Sequence, residues 1–202
     1  MKSSRWSAIW IFALCMIVLS YNLAFAQLPQ VCRDAEASDD MQQRVELFTQ
    51  CLEHELSEHN RAITHYNRGL ALYNKGDLER AIQDYTKAAQ LDPEFVEAYQ
   101  NRGLARYDQG DLQGAEEDFT RAIEQEPEFA EAYNNRGIVL YDKGDMEGAV
   151  RDYTRAIEID PEFARAYSNR ASAYMQMGEM EQAEQDAERA QEIDPGAAVP
   201  QF

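Results

Sequence analysis

The stretch Tyr66 to Pro93, YNRGLALYNKGDLERAIQDYTKAAQLDP, decides the fold. It returns three times: YQNRGLARYDQGDLQGAEEDFTRAIEQEP from Tyr99, YNNRGIVLYDKGDMEGAVRDYTRAIEIDP from Tyr133, and YSNRASAYMQMGEMEQAEQDAERAQEIDP from Tyr167. Gly69, Gly103, Gly137 and Ala171 are 34 residues apart, as are Pro93, Pro127, Pro161 and Pro195. A fixed period of this length marks stacked units, none of which buries its apolar face alone. Within the first unit the spacing predicts helix A over about 62–75 and helix B over about 78–90. Gly76 suits the left-handed conformation that ends a helix. Asp77 can cap the first amides of helix B. Asp92 and Pro93 stop it, because proline disfavours helix in the residue before it. Gly110-Asp111 and Gly144-Asp145 repeat the signal, and Gly178-Glu179 repeats it with a weaker cap.

These four units resemble tetratricopeptide repeats over about residues 62–197. The resemblance rests on the period and on the family pattern of small residues, aromatics and proline. The helix B alanines are Ala81, Ala115, Ala149 and Ala183, followed four later by Tyr85, Phe119 and Tyr153. A second alanine comes at Ala88, Ala122, Ala156 and Ala190. The resemblance implies an all-α fold, an α-solenoid winding as a right-handed superhelix of four helix hairpins. Units fall at 62–95, 96–129, 130–163 and 164–197, with a tail at 198–202.

The sequence departs from the family at two places. The pattern's leucine is Arg68, Arg102, Arg136 and Arg170, and the fourth helix B aromatic is Ala187. Each arginine has an aspartate at fixed distance: Asp84, Asp118, Asp152 and Asp186. A buried guanidinium needs a partner, so we expect a structural Arg–Asp ladder between helices A and B. Helix B of unit four is also more polar (Glu184, Gln191), which reads as a terminal cap of the array.

The chain has 202 residues and a net charge of −18. That balance argues against nucleic acid and anionic membrane surfaces as partners. Lys2 and Arg5, the apolar run Ile9 to Leu19 and Ala24-Phe25-Ala26 read as a signal peptide, 1–26, cleaved after Ala26. We therefore expect a periplasmic or secreted protein with no stable membrane insertion after cleavage. Anchoring by an uncleaved N-terminal helix is the alternative, although the run is short for a span. Cleavage would remove two positive charges and no acids, taking −18 to −20. Cys15 leaves with the signal, and Cys32 and Cys51 form an even pair in an oxidising compartment, so one disulfide is expected.

In segment 27–61, residues 41–58 look helical, with Val45, Phe48, Cys51, Leu52 and Leu56 on one face. Phe48-Thr49-Gln50-Cys51 echoes Tyr85-Thr86-Lys87-Ala88. This predicts a lone helix B half-repeat that caps unit one, with the disulfide pinning a strand-like segment to it. His54, His59 and His65 are the three histidines. Their spacing misses the i, i+4 pair of a helical zinc site, so they read as solvated helix residues. No cofactor is expected.

In arrays of this family, helix A residues line a concave groove that holds a peptide or a helix; that is what the resemblance implies. Carried over unit by unit, the groove holds Asn67, Leu70 and Tyr73, then Gln100, Asn101, Leu104 and Tyr107. Asn134, Asn135, Ile138 and Tyr141 follow, and then Arg165 and Asn169. Asparagine amides can give and accept hydrogen bonds with a guest backbone. Tyrosines offer contact area at low entropic cost. The competing reading is packing against the next helix. Family members that grip a chaperone's C-terminal carboxylate use lysines and an arginine beside the groove asparagines. Here the matching positions carry acids, Gln or apolar residues, with Arg165 the one base. A basic or neutral peptide suits this groove better.

The sequence shows no Gly-rich phosphate loop, and no cysteine follows Cys51. The function expected is therefore a protein-interaction scaffold without catalysis. A self-assembling homo-oligomeric subunit is the alternative, since the groove could accept a neighbour's tail, and an envelope enzyme is the more distant one.

Overall fold

The computed structural model describes residues 28–200. The expected signal peptide and its cleavage after Ala26 lie outside the described residues. Ten helices and no strand are present among them. They are α1 (Gln30–Ala37), α2 (Met41–Cys51), α3 (Glu58–Asn74), α4 (Leu78–Leu91) and α5 (Val96–Gln109). Then come α6 (Leu112–Gln125), α7 (Ala130–Asp142), α8 (Met146–Ile159), α9 (Ala164–Met177) and α10 (Met180–Ile193).

The pairs α3–α4, α5–α6, α7–α8 and α9–α10 are the four hairpins, and each second helix packs on the next first helix. The first helices α3, α5, α7 and α9 also touch in succession, whereas no two second helices pack to that extent. The array therefore curves with its first helices on the inner side. Each hairpin turn is made by local chemistry. In the second, Gly110 at φ 88° ends α5 and lets Asp111 N–H donate back to the Arg106 carbonyl at 2.8 Å. Asp111 then caps α6, accepting from Gly114 N–H at 2.9 Å. In the fourth turn Glu179 makes no capping bond.

The core is a row of small residues against large rings. Ala81, Ala88, Ala115, Ala122, Ala149 and Ala156 are fully buried, and Tyr85, Phe119 and Tyr153 fill the space between hairpin arms. A Cβ added at Gly103 would sit 2.7 Å from Phe119 Cε1. The glycine is thus required by the ring opposite. In hairpin four both positions change together: Ala171 replaces the glycine and Ala187 replaces the ring, and both are buried. Gly103→Ala is expected to cost about 1–3 kcal/mol, the usual range for overpacking. Urea unfolding measures this, and an unchanged midpoint would show that the ring moves aside freely.

The N-terminal segment differs from expectation in three ways. Cys32 lies on a helix, α1, instead of a strand-like segment. The cap is consequently a short helix pair, α1 on α2, rather than a lone half-repeat. Second, α2 ends at Cys51, and Leu52 to Ser57 form a turn and link, so Leu56 is not on its face. Third, α3 begins at Glu58, about a turn early, because Ser57 accepts from Asn60 N–H and starts it there. The Cys32–Cys51 disulfide is present, with both sulfurs' residues buried, and joins α1 to the end of α2. Val45 joins Ala71, Leu72, Ala81 and Tyr85 in one buried cluster, so the cap covers the open side of hairpin one.

Candidate functional site

The four arginines lie where the first helices meet the second. Arg68 Nε and Nη2 donate to Asp84 at 2.7 and 2.8 Å, and Arg136 and Arg170 reproduce those distances to Asp152 and Asp186. Arg102 reaches Asp118 at 2.9 Å through Nε and 2.6 Å through Nη2. These are bidentate pairs with the aspartates buried. A further contact was not anticipated from sequence. The remaining Nη1 of each arginine donates to a threonine on the second helix before it: Thr49, Thr86, Thr120 and Thr154, at 2.9 to 3.2 Å. Each arginine thus joins both arms of its own hairpin and the preceding unit. The hydrogen bond to Asp152 raises the Arg136 guanidinium pKa further, which keeps that guanidinium charged.

His65 is also part of this network rather than a solvated residue. Its Nδ1 lies 2.9 Å from Asp84 Oδ1, and its side chain is mostly buried. Burial favours a raised pKa at Asp84, but the hydrogen bonds and charges of Arg68 and His65 outweigh it and hold the carboxyl below its ordinary range. At the matching position in the later hairpins stand Tyr99, Tyr133 and Tyr167, each under its hairpin's guanidinium at 5.4 to 5.7 Å. His54 and His59 are exposed. Among the described residues no cluster of histidine, cysteine and carboxylate could hold a metal, and no helix is long and apolar enough to cross a membrane.

The inner face is built from successive first helices, one row per helical position. Tyr73 O–H donates to Asp108 at 2.5 Å and Tyr107 O–H to Asp142 at 2.6 Å, each across to the next first helix. Burial first, and then the Asp108 carboxylate, push the Tyr73 hydroxyl up to about 12. At Tyr107 the bond to Asp142 acts first and burial second, again to about 12. Tyr141 has no such bond, because Gln176 stands where an aspartate would. Asn101 donates to Tyr66 Oη at 2.8 Å, and Asn169 donates to Asn134 Oδ1 at 2.9 Å. The polar rows therefore staple neighbouring hairpins.

The sequence-derived groove residues divide accordingly. Asn67, Leu70, Tyr73, Asn101, Leu104, Tyr107, Asn135, Ile138, Tyr141 and Asn169 are half-buried along this face, and Arg165 is exposed. Gln100 and Asn134 are buried at 7% and 2% exposure, beneath the face rather than on it. Asn101 Oδ1 accepts no bond among the described residues; its Nδ2 is the group engaged, with Tyr66 and the Glu97 carbonyl. Glu97, Asp108, Glu131 and Asp142 are exposed acids of these helices.

Comparison with known proteins agrees with this architecture. Models of the tetratricopeptide repeat match residues 69–110, 101–162 and 164–196, together more than half of the chain. No curated protein matches the chain in sequence. The crystal structure of MamA is similar at 26% identity and a TM-score of 0.74, covering 80% of this chain and 93% of that one. YrrB, described as a TPR protein with an unusual peptide-binding site, is 19% identical with a TM-score of 0.69, over 89% of this chain and 92% of that one. The first TPR of Spaghetti (RPAP3), solved with the HSP90 peptide SRMEEVD, is 24% identical with a TM-score of 0.58, over 59% of this chain and 95% of that one. The last two likenesses speak to fold alone. Period, hairpin geometry and matching models coincide, and the chain belongs to the tetratricopeptide repeat family.

Proposed function

We propose that this chain is a non-catalytic adaptor that holds a basic or neutral segment of a partner protein along the face formed by α3, α5, α7 and α9. The observation that carries the reading is the stapled inner face. Tyr73–Asp108, Tyr107–Asp142, Asn101–Tyr66 and Asn169–Asn134 fix successive first helices to one another. A face held in place before binding loses little freedom when a guest arrives. Peptide-holding proteins of the same fold, YrrB and the first TPR of Spaghetti, support the reading at the level of architecture. The acidic peptide held by Spaghetti would meet Glu97, Asp108, Glu131 and Asp142 here, so a guest of opposite sign fits this chain. A periplasmic or secreted location is part of the proposal; the Cys32–Cys51 bond supports an oxidising compartment.

Panning random 12-residue peptides against the full chain tests this. Selected peptides are expected to be enriched in lysine, arginine and aromatic residues. Tyr107→Ala and Asn101→Ala, each checked for folding by circular dichroism, should weaken the best peptide at least fivefold in fluorescence anisotropy. Full affinity in both variants would remove the inner face as the binding site.

A further inference from the structure

A cavity of about 570 Å³ opens where the cap meets hairpin one. That volume falls in the roughly 300–1,000 Å³ range of ligand pockets. Ile63 and Tyr66 of α3 and Phe95 of the α4–α5 turn give it an apolar, aromatic lining, the two rings 4.8 Å apart between centroids. Three carboxylates line it from three separate elements: Glu36 of α1, Asp92 after α4, and Glu97 of α5. One guanidinium, Arg44 of α2, opposes them, and it is engaged over the Phe48 ring at 5.8 Å. His59 stands at the edge, 71% exposed and 3.9 Å from Asp92. The balance is three carboxylates against one permanent cation, beside aromatic faces. Glu36 is exposed at one side and partly desolvated toward the cavity, which raises its carboxyl, and Arg44 opposes this only in part.

We propose that this cavity takes the cationic side chain of a guest peptide, an arginine or a lysine. The cation stacks on Tyr66 and Phe95 and pairs with Glu36, Asp92 and Glu97. The site rests on the adaptor reading in one respect: through Ile63, Tyr66, Asn67 and Glu97 it continues the inner face at its N-terminal end. The cap thereby gains a role beyond covering hairpin one. It supplies Glu36, which also accepts from Asn67 Nδ2 at 3.4 Å, and the disulfide holds the helix that carries it.

The test uses the full chain, isotopically labelled, and two tripeptides: N-acetyl-Ala-Arg-Ala amide and its norleucine analogue, of equal length but uncharged. The arginine peptide is expected to give saturable NMR shifts at Ile63, Tyr66 and Phe95. The norleucine peptide should bind at least fivefold more weakly. Glu36→Gln, a same-size change at an exposed helix position, should weaken the arginine peptide at least threefold. Equal response to the two peptides, shifts away from the cavity, or full retention by Glu36→Gln each overturns the site. The two readings fail separately. Full affinity of the 12-residue peptide for Tyr107→Ala and Asn101→Ala, with an intact tripeptide signal, would remove the groove alone. Weakened 12-residue peptide binding in those variants, with no tripeptide signal at the cavity, would remove this pocket alone.

Discussion

Asp118→Asn is expected to lower the thermal midpoint by about 10 °C. Asp118 is 2% exposed and pairs with two guanidinium groups: Arg102, bidentately, and Arg106, whose Nη1 donates at 2.8 Å. Removing one partner of a buried ion pair costs about 3–5 kcal/mol, because the charges left behind stay desolvated. In a folded body of this size each kcal/mol moves the midpoint by roughly 2–4 °C. The loss also reaches hairpin one, since Arg102 holds Thr86 across the junction at 3.1 Å. Asp152→Asn, which strands Arg136 alone, should shift the midpoint in the same direction by less. Differential scanning calorimetry reads both. A shift under about 2 °C for Asp118→Asn would mean that the ladder is a solvated decoration.

Replacing Cys32 and Cys51 with serine is expected to destabilise the N-terminal end by about 3 kcal/mol, the chain-entropy value for a loop of this length. The cysteines are 19 residues apart in sequence. The α1 helix has eight residues and no side-chain cap bond at its start, so little besides the disulfide and its packing on α2 keeps it formed. The loss should therefore be local. Hydrogen exchange should quicken in α1 and α2 while α7 to α10 keep their protection, as in a stacked array where each unit contacts its neighbours. The same variant should weaken the arginine tripeptide, because Glu36 leaves with α1. Uniformly faster exchange through all hairpins would contradict a cap whose stabilising effect is confined to one end.

What the sequence discloses about this molecule follows from what its period can carry. The hairpins, their glycine turns and their aspartate caps recur every 34 residues, so each was readable four times over. The Arg–Asp pairs were readable for the same reason, since both partners lie in one unit. The threonine contacts were not, although the Phe48-Thr49 and Tyr85-Thr86 echo was visible. Their role depends on how closely the preceding second helix approaches, which no single unit specifies. His65 reads as solvated in sequence because its partner Asp84 lies 19 residues away on another helix; the tyrosines at the same register in later units are the available clue. The Tyr73–Asp108 and Tyr107–Asp142 bonds span 35 residues each, one period plus one, and that offset could have exposed them. Helix α1 has no repeat to match, and its eight residues are fewer than the window over which a helical period is read. Gln100 and Asn134 lie beneath the asparagines that follow them, Asn134 accepting from Asn169 of the next first helix.

Hydrogen–deuterium exchange of the full chain, with and without the tightest peptide from the 12-residue library, tests the central claim most directly. Binding along the inner face predicts slowed exchange in the first helices α3, α5, α7 and α9, with the second helices α4, α6, α8 and α10 unaffected. Protection confined to the second helices would contradict it, since the guest would then lie on the outer side of the array.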